Sequence, residues 1–565
     1  MASSISFGSL STSSGSPRLS GTSSKLDTEA VLQATYEAKR LPAVRLGNKT
    51  TTNETKIAAY ESMQGLLEGL RSAANGLRNP PGFLGARDNA FETKQAFLGS
   101  STTTAPGEIV GVALANTAQA GSFDLRVTQL ATAEKLATPG AAAANATLAD
   151  AWNAGDPFSG TIELGVAGGP TAVIDLDGDL GLYDLRDRIN AVRSTTGVGA
   201  SVLKVADNDF RLVLAAEETG KAITLNDTSG LTGGFSTTTL QTAQPAIFEI
   251  DGVSVTRTSN QVDDLMGGVT INLFKAEPGT TVAVSVEPSL GDIKSRIVAF
   301  VEAFNALRGF VNEQSAVDAS GGPAADAVLF GDRTMRGIMT GLGGIVGGSV
   351  AGLDADALGS FRAIGIELDA TNQLEIDDAK LDNALLTKLD DVRDIFEFRY
   401  RSSSSELAIF ARSNALAATT MQLEITDADN DGTPEAVTIN GQAAEIAGST
   451  IKGAAGTAFE GLEFIWTGRG STVIDVEASQ GLADRVFNFV KPAVDPLDGS
   501  IPRAIDSLRD LNGNYAKQME RIEERATRAR DLLVERFSAM EAALSLANAM
   551  LAQIRAQIDA MTQDS

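Results

Sequence analysis

The stretch that decides the fold is Met519 to Met561, MERIEERATRARDLLVERFSAMEAALSLANAMLAQIRAQIDAM. Its apolar residues recur at alternating steps of three and four, which keeps one narrow stripe along a helix, as in coiled coils. The four-residue step from Leu533 to Phe537 follows another four-residue step and predicts a stutter that locally unwinds any supercoil. The stripe consists of Met519, Ile522, Ala526, Ala529, Leu533, Phe537, Met540, Leu544, Ala547, Leu551, Ile554, Ile558 and Met561. A helix over residues 515–561 would run about 70 Å and cannot bury this stripe alone, so the sequence predicts a packing partner.

The predicted start of this C-terminal helix lies upstream, where a helical pattern resumes near Ile505. Ser500 is a candidate N-cap, and Pro502 falls in the first turn, where its missing N–H costs little. The segment Asn512-Gly513-Asn514 combines poor helix formers and is therefore a predicted weak point.

A second helical region covers residues 26–77, with Asp27 or Thr28 as its cap and a predicted break near Pro42. Its second piece carries apolar residues at helical spacing: Ile57, Tyr60, Met63, Leu67, Leu70, Ala74 and Leu77. Residues 79–82, NPPG, should end it. Two interpretations stay open for this region: it pairs with the C-terminal helix, or it packs onto an ordinary globular core.

Composition narrows the classes of function. The 565 residues include no Cys and no His, and the net charge is −26. Disulfides, zinc sites built on Cys or His, and Ser-His-Asp chemistry are therefore excluded, whereas nucleic acid and anionic lipid are disfavoured by charge. Catalysis by carboxylate pairs or a Lys stays open, but we predict a non-enzyme with no catalytic, cofactor or metal site.

Neither a secretory signal nor a membrane-spanning apolar run is recognisable in the sequence. By itself this pattern indicates a cytoplasmic protein. The other interpretation is export by a route that uses an uncleaved N-terminus, and composition does not choose between the two.

The zones of the chain predict an α+β multidomain fold. Helices from both termini form one leg, a coiled coil or bundle, and β-rich head domains are nested between them. The predicted divisions are a disordered segment 1–24, leg helices 25–105, a head domain from 106–139 and 246–290, an outer head domain 140–245, a helical body 291–419, a strand-rich insert 420–480, and C-terminal leg helices 481–565.

Three weaker signals have structural interpretations. Residues 427–432, DADNDG, match the first half of an EF-hand calcium loop, but its twelfth position is Thr438 instead of Glu and Pro434 interrupts it. We predict an acidic hairpin turn there, and likewise a turn at residues 175–179. The Gly-rich residues 341–348 lack the Lys-Ser/Thr of a phosphate loop and predict a flexible loop or a helix-packing segment.

Motifs in the middle of the chain carry a family resemblance. Residues 246–255, AIFEIDGVSV, form a predicted hairpin with an Asp-Gly turn. Residues 268–273, GVTINL, and 284–286, VSV, are further strands, followed by a predicted helix over 293–310. This order resembles the flagellar filament cap protein family, also called hook-associated protein two.

Other stretches agree with the resemblance. Residues 121–127, GSFDLRV, resemble the first strand motif of the family, and 481–485, GLADR, precede the final helix. Residues 185–190, LRDRIN, with 211–214, RLVL, resemble the repeated Ile-Asn motif of flagellar hook and filament proteins. Residues 420–478 look like an insert that only some members have.

The resemblance implies a function and partners. Family members form an oligomeric ring at the distal tip of the bacterial flagellum, outside the cell, where they retain exported flagellin and promote its folding and polymerisation. Implied partners are flagellin, other copies of the chain, hook-associated proteins and a cytoplasmic export chaperone, with no nucleic acid and no membrane insertion. Export would occur without a cleaved signal peptide.

The resemblance implies that the nearly uncharged segment from Ala539 to Ala560 is covered by the family's export chaperone and later packs in the assembled leg. The expected contact residues are Leu544, Leu551, Ile554 and Ile558. The alternative is that these four lie in a permanent intrachain seam against Leu26, Val31 and Leu32. Contacts of the charged residues 519–537, such as the Glu524–Arg528 pair, should be weak.

Two other functions stay open. The first is a hook–filament junction or flagellin-type subunit, which shares terminal helices and the Ile-Asn motif. The second is a surface adhesin that uses the β-rich head, residues 112–290, to bind host or surface ligands, a role that a cap protein could also combine with capping.

Overall fold

The structure is a computed structural model that describes residues 10–11, 18–19, 24, 27–80, 89–232, 234–353, 356–412 and 420–563. The chain divides into two compact units, Met1–Arg78 with Ile297–Ser565, and Asn79–Arg296. Most of the segment predicted to be disordered, residues 1–24, lies outside the described residues. Within it, Leu10–Ser11 and Arg18–Leu19 form an antiparallel strand pair.

Helices dominate the first unit. Over the whole chain, the described α-helices of five residues or more are Thr28–Asn75, Leu148–Trp152, Leu182–Ala191, Leu290–Gln314, Arg333–Val346, Asp378–Thr387, Leu389–Phe396, Leu482–Val490 and Ser500–Gln563. Shorter turns of helix are Ala90–Glu92, Pro106–Ile109, Arg193–Thr196 and Phe361–Ile364. We call Thr28–Asn75 the N-terminal helix and Ser500–Gln563 the C-terminal helix.

The N-terminal helix is continuous, and the break predicted near Pro42 is wrong. A proline inside a helix removes one hydrogen bond and crowds the preceding turn, at a cost of about 3 kcal/mol. The C-terminal helix packs along this one, and Ala43 beside the proline is buried, so tertiary packing offsets the cost. The predicted cap is confirmed, because the Asp27 side chain accepts the Ala30 N–H at 3.0 Å.

The C-terminal helix also runs without interruption. Ser500 is its first helical residue, so the prediction of Ser500 as the N-cap is wrong. The predicted weak point at Asn512-Gly513-Asn514 is helical as well. Its poor propensity is compensated by packing, since Asn53 of the N-terminal helix donates a side-chain hydrogen bond to Asn512 at 2.8 Å.

In the second unit, two antiparallel sheets enclose one apolar core. In spatial order, the strands of the first sheet are Val253–Arg257, Ala246–Ile250, Gly121–Gln129, Val282–Pro288 and Lys94–Ser100. Those of the second sheet are Gln261–Met266, Val269–Leu273 and Val110–Leu114. The predicted hairpin is confirmed: Ile250 pairs with Val253, and both turn residues, Asp251 and Gly252, have positive φ. That conformation is typical of a two-residue Asp-Gly turn.

A second core in the same unit lies between two further sheets and helix Leu182–Ala191. The strands of one sheet are Thr238–Gln241, Lys135–Ala137, Asp209–Ala216 and Val198–Ala206. The strands of the other sheet are Ile223–Asp227, Ser159–Val166 and Thr171–Asp177. The Ile-Asn motif has a clear physical role here. Ile189 is fully buried, and the Asn190 amide both donates to the Ala200 carbonyl and accepts its N–H, each at 2.9 Å. The motif therefore joins the helix to its neighbouring strand.

The strand-rich insert predicted at residues 420–480 shares its core around Trp466 with strands that begin at Phe398. Residues 398–480, called the insert below, belong to the first unit. The strands of its first sheet are Phe398–Ser402, Thr472–Gln480, Thr420–Thr426, Ala436–Ile439 and Gln442–Ala443. The strands of its second sheet are Leu407–Ala411, Glu463–Trp466, Thr450–Lys452 and Glu445–Ala447. A separate strand pair is Ile366–Leu368 with Leu374–Ile376. The predicted α+β class is confirmed, with helices from both termini packed together, whereas the exact domain boundaries stay predictions.

Candidate interaction site on the long helices

The two long helices pack side by side in antiparallel directions. Three contacts define their register: Asn53 with Asn512 at 2.8 Å, Lys49 over the Tyr515 ring at 5.9 Å, and Arg40 with Glu523 at 3.0 Å. Residue numbers fall on one helix as they rise on the other, so the contacts belong to one continuous seam. The predicted partner of the C-terminal stripe is therefore the N-terminal helix.

Burial along this seam is uneven. Ala526 is fully buried, and Met519, Ile522, Leu533 and Phe537 are half-buried. The ion pairs beside the seam are open to solvent, as is the predicted Glu524–Arg528 pair, whose charged atoms lie 3.8 Å apart. Because exposed ion pairs contribute little free energy, the half-buried apolar stripe is what holds this part of the pair together.

The other end of the N-terminal helix is anchored more firmly. Met63, Leu67 and Leu70 are fully buried, and the helix packs there against Leu482–Val490. Tyr60 donates its hydroxyl proton to Asp332 at 2.6 Å. Burial, followed by this hydrogen bond to Asp332, raises the pKa of Tyr60 well above its usual range.

The seam ends at Glu541. The Ser24 N–H donates to the Glu541 carboxylate at 3.2 Å, and Glu541 itself is buried. From Ala542 to Asp559 every side chain is exposed. One long apolar stripe thus runs from a packed region into one whose side chains are exposed to solvent, which we call the open region.

The four predicted contact residues all lie in the open region. Their exposed fractions are 36% for Leu544, 52% for Leu551, 50% for Ile554 and 53% for Ile558. The helix register instead places Leu32, which is buried, level with Leu533, and Val31 is half exposed. Leu26 lies outside the described residues. Burial therefore does not support the intrachain alternative for Val31 and Leu32, and the role of the four residues in binding stays a prediction.

Two apolar residues that the stripe did not predict widen the open face. Leu546 and Met550 are 60% and 54% exposed. At about 100° per residue they extend the apolar surface beyond the Leu544–Leu551–Ile558 line, over roughly half of the helix circumference. A face this broad fits a groove or more than one partner helix. Counting apolar residues off the three-four register would have shown it in the sequence.

The acidic loop in the insert is a hairpin turn, as predicted. Asp427 accepts backbone N–H groups from Asp431 and Gly432, each at 3.2 Å, and from Gly470 at 2.7 Å. Asp429 and Glu435 bring their carboxylates close to it. The flanking strands pair antiparallel, as expected for a hairpin. The carboxylate of Asp427 therefore holds the turn through backbone hydrogen bonds.

The Gly-rich residues 341–348 lie at the end of helix Arg333–Val346, which confirms the helix-packing alternative. A Cβ at Gly341 would come within 2.2 Å of the Phe489 ring, so only glycine allows this close packing. The turn predicted at residues 175–179 is confirmed only at Gly178 and Asp179, where the Asp179 N–H donates to the Asp177 side chain at 3.1 Å. Residues 175–177 instead end strand Thr171–Asp177.

Fold and site together define a class: a protein whose two ends form one helical pair, with β-rich regions between them in sequence and an exposed apolar face on the C-terminal helix. Among the helices that the structure describes, none is long and apolar enough to cross a membrane.

Comparison with known proteins gives the family. The model of the flagellar hook-associated protein 2 C-terminus matches residues 243–549, and that of the N-terminus matches residues 24–134. The flagellin hook IN motif matches residues 161–218, where Asn190 joins helix and strand. Because the first match alone covers more than half of the chain, the chain belongs to the flagellar hook-associated protein 2 family, and the resemblance is confirmed.

Individual relatives agree. The A-type flagellar hook-associated protein 2 of Pseudomonas aeruginosa is 26% identical over 412 residues, 67% of this chain and 80% of that protein. The flagellar hook-associated protein 2 of Salmonella typhimurium is 33% identical over 231 residues, 38% of this chain and 48% of that protein. Among solved structures, the flagellar cap protein FliD D1-D2-D3 domains from Escherichia coli are 22% identical, covering 60% of this chain and 89% of that one, with a TM-score of 0.45.

Proposed function

We propose that this protein caps the distal tip of the bacterial flagellar filament as an oligomeric ring that retains exported flagellin and promotes its folding and polymerisation. Membership of the flagellar hook-associated protein 2 family carries the proposal. Relatives named flagellar hook-associated protein 2 support it. Within that family the role is structural, so no catalysis is required.

The geometry of the long helices suits this role. Their packed part can serve as a leg whose exposed ion pairs set register with little affinity. Weak, reversible contacts allow a cap to grip a growing end and still move on as each subunit is added. The open face from Ala542 to Asp559 supplies the surface for partners.

We assign that face to successive partners. Before export it would bind a cytoplasmic chaperone, because a broad exposed apolar face is an aggregation hazard in a free chain. After export it would pack against other copies of the chain, flagellin or neighbouring hook-associated proteins. Leu544, Leu551, Ile554 and Ile558 are the contact residues we expect in both states.

The alternatives receive less support. A junction or flagellin-type subunit shares the Ile-Asn motif, but the matched C-terminal family model begins at residue 243 and includes the hairpin at 246–286. The adhesin alternative requires a ligand site on the β-rich head, and no feature described above favours one.

Immunogold electron microscopy of intact flagella tests the proposal. An antibody against the outer head, residues 140–245, should label only distal tips. Label at the hook or along the shaft would replace the cap with a junction or filament subunit. Label away from flagella would favour the adhesin.

Export without a cleaved signal is tested on the same flagella. Peptide mass mapping of the protein recovered from them should find peptides that cover residues 2–18 of the sequence. Recovery of a shortened chain only, with its first residues removed at one site, would contradict it.

A further inference from the structure

A buried charge cluster lies where the insert joins the helical part of the first unit. Asp484, in the first turn of helix Leu482–Val490, is fully buried. Arg412 donates to both of its carboxylate oxygens, with Nε–Oδ2 at 2.9 Å and Nη2–Oδ1 at 2.7 Å. Arg78, just beyond the N-terminal helix, reaches Oδ1 at 3.3 Å. One carboxylate thus binds two arginines from distant parts of the chain.

The surroundings of the cluster complete its hydrogen bonding. The side-chain amides of Gln480 and Asn488 donate to Asp484 Oδ2 at 2.8 and 2.9 Å. The Arg78 guanidinium stacks 3.5 Å from the centre of the Phe487 ring. Burial is the chief cause that lowers the pKa of Arg78, to about 10. Buried charges are stable when they are compensated in this way. The loss of one partner leaves the remaining charges buried and uncompensated.

The connections of the insert explain why such a cluster is needed. The chain enters the insert at Phe398 and leaves it at Gln480, and these two residues pair directly across neighbouring strands. Gly481 follows at a close crossing, where a Cβ would come within 2.3 Å of Phe396. These two adjacent strands, with the Arg399–Asp394 ion pair beside them, attach the insert along one edge. A body attached along one edge can swing about it.

Arg412 supplies an attachment away from that line. It follows strand Leu407–Ala411, which belongs to the second sheet of the insert, and its side chain is nearly fully buried. Its guanidinium lies over the Phe398 ring, 4.1 Å from the centre, while it binds Asp484. The bidentate geometry fixes direction as well as distance.

We propose that Arg412 and Asp484 form a clamp that fixes the orientation of the insert against helix Leu482–Val490 and the end of the N-terminal helix. The insert then moves as one body with helix Leu482–Val490 and the C-terminal end of the N-terminal helix. This inference does not depend on the capping function.

Spin labelling tests the clamp in the full-length chain. Because the sequence has no Cys, Ala443→Cys in the insert and Ser507→Cys in the C-terminal helix, both exposed, give a single pair of labels. The intact clamp should give one narrow distance distribution by pulsed electron resonance. Arg412→Met should abolish the narrow distribution. The fluorescence of Trp466 in the insert core, measured in a Trp152→Phe background because the chain has two Trp residues, should stay unchanged.

The control is Lys452→Met, which breaks the exposed Lys452–Glu463 pair of the same insert, 2.7 Å in length, and should leave the distribution narrow. A narrow distribution in Arg412→Met, or equal broadening in Lys452→Met, would overturn the clamp. If Arg412→Met shifts the Trp466 emission, Arg412→Lys decides. It keeps the charge and loses the fork, and an unchanged distribution in that folded variant would also refute the proposal.

Discussion

The C-terminal helix contains two regions with the same apolar rhythm and opposite surroundings. The first part of the stripe packs against the N-terminal helix, and Glu541 contacts Ser24 just before that helix, whereas from Ala542 to Asp559 every side chain is exposed. The sequence pattern does not distinguish them, since steps of three and four continue through both. A heptad stripe thus specifies that a helix needs a partner but does not identify that partner. The packed region should govern stability, and the open region should govern assembly.

The largest expected effect is a loss of assembly without a loss of folding. Leu551→Asp with Ile554→Asp places two charges on the open face, where a partner would have to bury them at high cost. We expect chaperone binding and tip labelling to be abolished, with circular dichroism and the unfolding midpoint unchanged, because both side chains are half exposed in the free chain.

The matched control is Ala549→Asp with Ala552→Asp, which adds the same charges, again three residues apart, to the opposite side of the same helix. This variant should still assemble. Equal loss in both variants would mean that added charge alone blocks assembly. Normal chaperone binding and motility in the first variant would refute the assignment of the face.

The next largest effect is expected on stability, at the firmly anchored end of the N-terminal helix. Leu67→Ala removes a fully buried side chain and should lower the free energy of unfolding by about 2–5 kcal/mol. Urea unfolding followed by circular dichroism measures it. Leu551→Ala, the same substitution on the open face, should change stability by less than about 0.5 kcal/mol. Equal losses at the two positions would contradict the division into packed and open regions.

A smaller effect is expected at Tyr60, where a hydrogen bond helps to anchor the same end of the N-terminal helix. Tyr60→Phe removes the hydrogen bond to Asp332 and should cost about 0.5–1.5 kcal/mol near neutral pH. Because the folded-state pKa of Tyr60 is raised above its usual 10, the unfolded chain loses this proton first as pH rises. The advantage of wild type over Tyr60→Phe should therefore be complete below pH 10 and decline above it. A constant advantage across that range would contradict the raised pKa.

Features that depend on interactions between residues close in sequence could be predicted, and features that depend on contacts between distant residues could not. The N-cap at Asp27, the Asp-Gly turn at Gly252 and the helical stripe depend on near neighbours and were predicted. Continuity through Pro42 and Gly513 was not, because it depends on a helix hundreds of residues away in sequence. The resemblance identified the family, and the open segment contains the predicted contact residues.

The cluster around Asp484 was missed for a similar reason. Its two arginines lie 406 and 72 residues away in sequence, and no local pattern joins them. An aspartate in the first turn of a helix is ordinary in any sequence, since it favours the helix dipole. Only the folded chain shows that Asp484 is surrounded by arginine and amide donors.

The smallest effect is expected from the exposed charges along the seam. Arg40→Gln breaks the pair with Glu523, whose two side chains are both nearly half exposed. Water and salt screen such a pair, so the urea midpoint should not change measurably at physiological salt. Ala526→Leu, at a fully buried seam position nearby, should lower the midpoint because overpacking forces the helices apart. If Arg40→Gln were the more destabilising variant, charge pairing instead of apolar packing would hold the helices together, and the proposal that weak leg contacts let a cap move would fail.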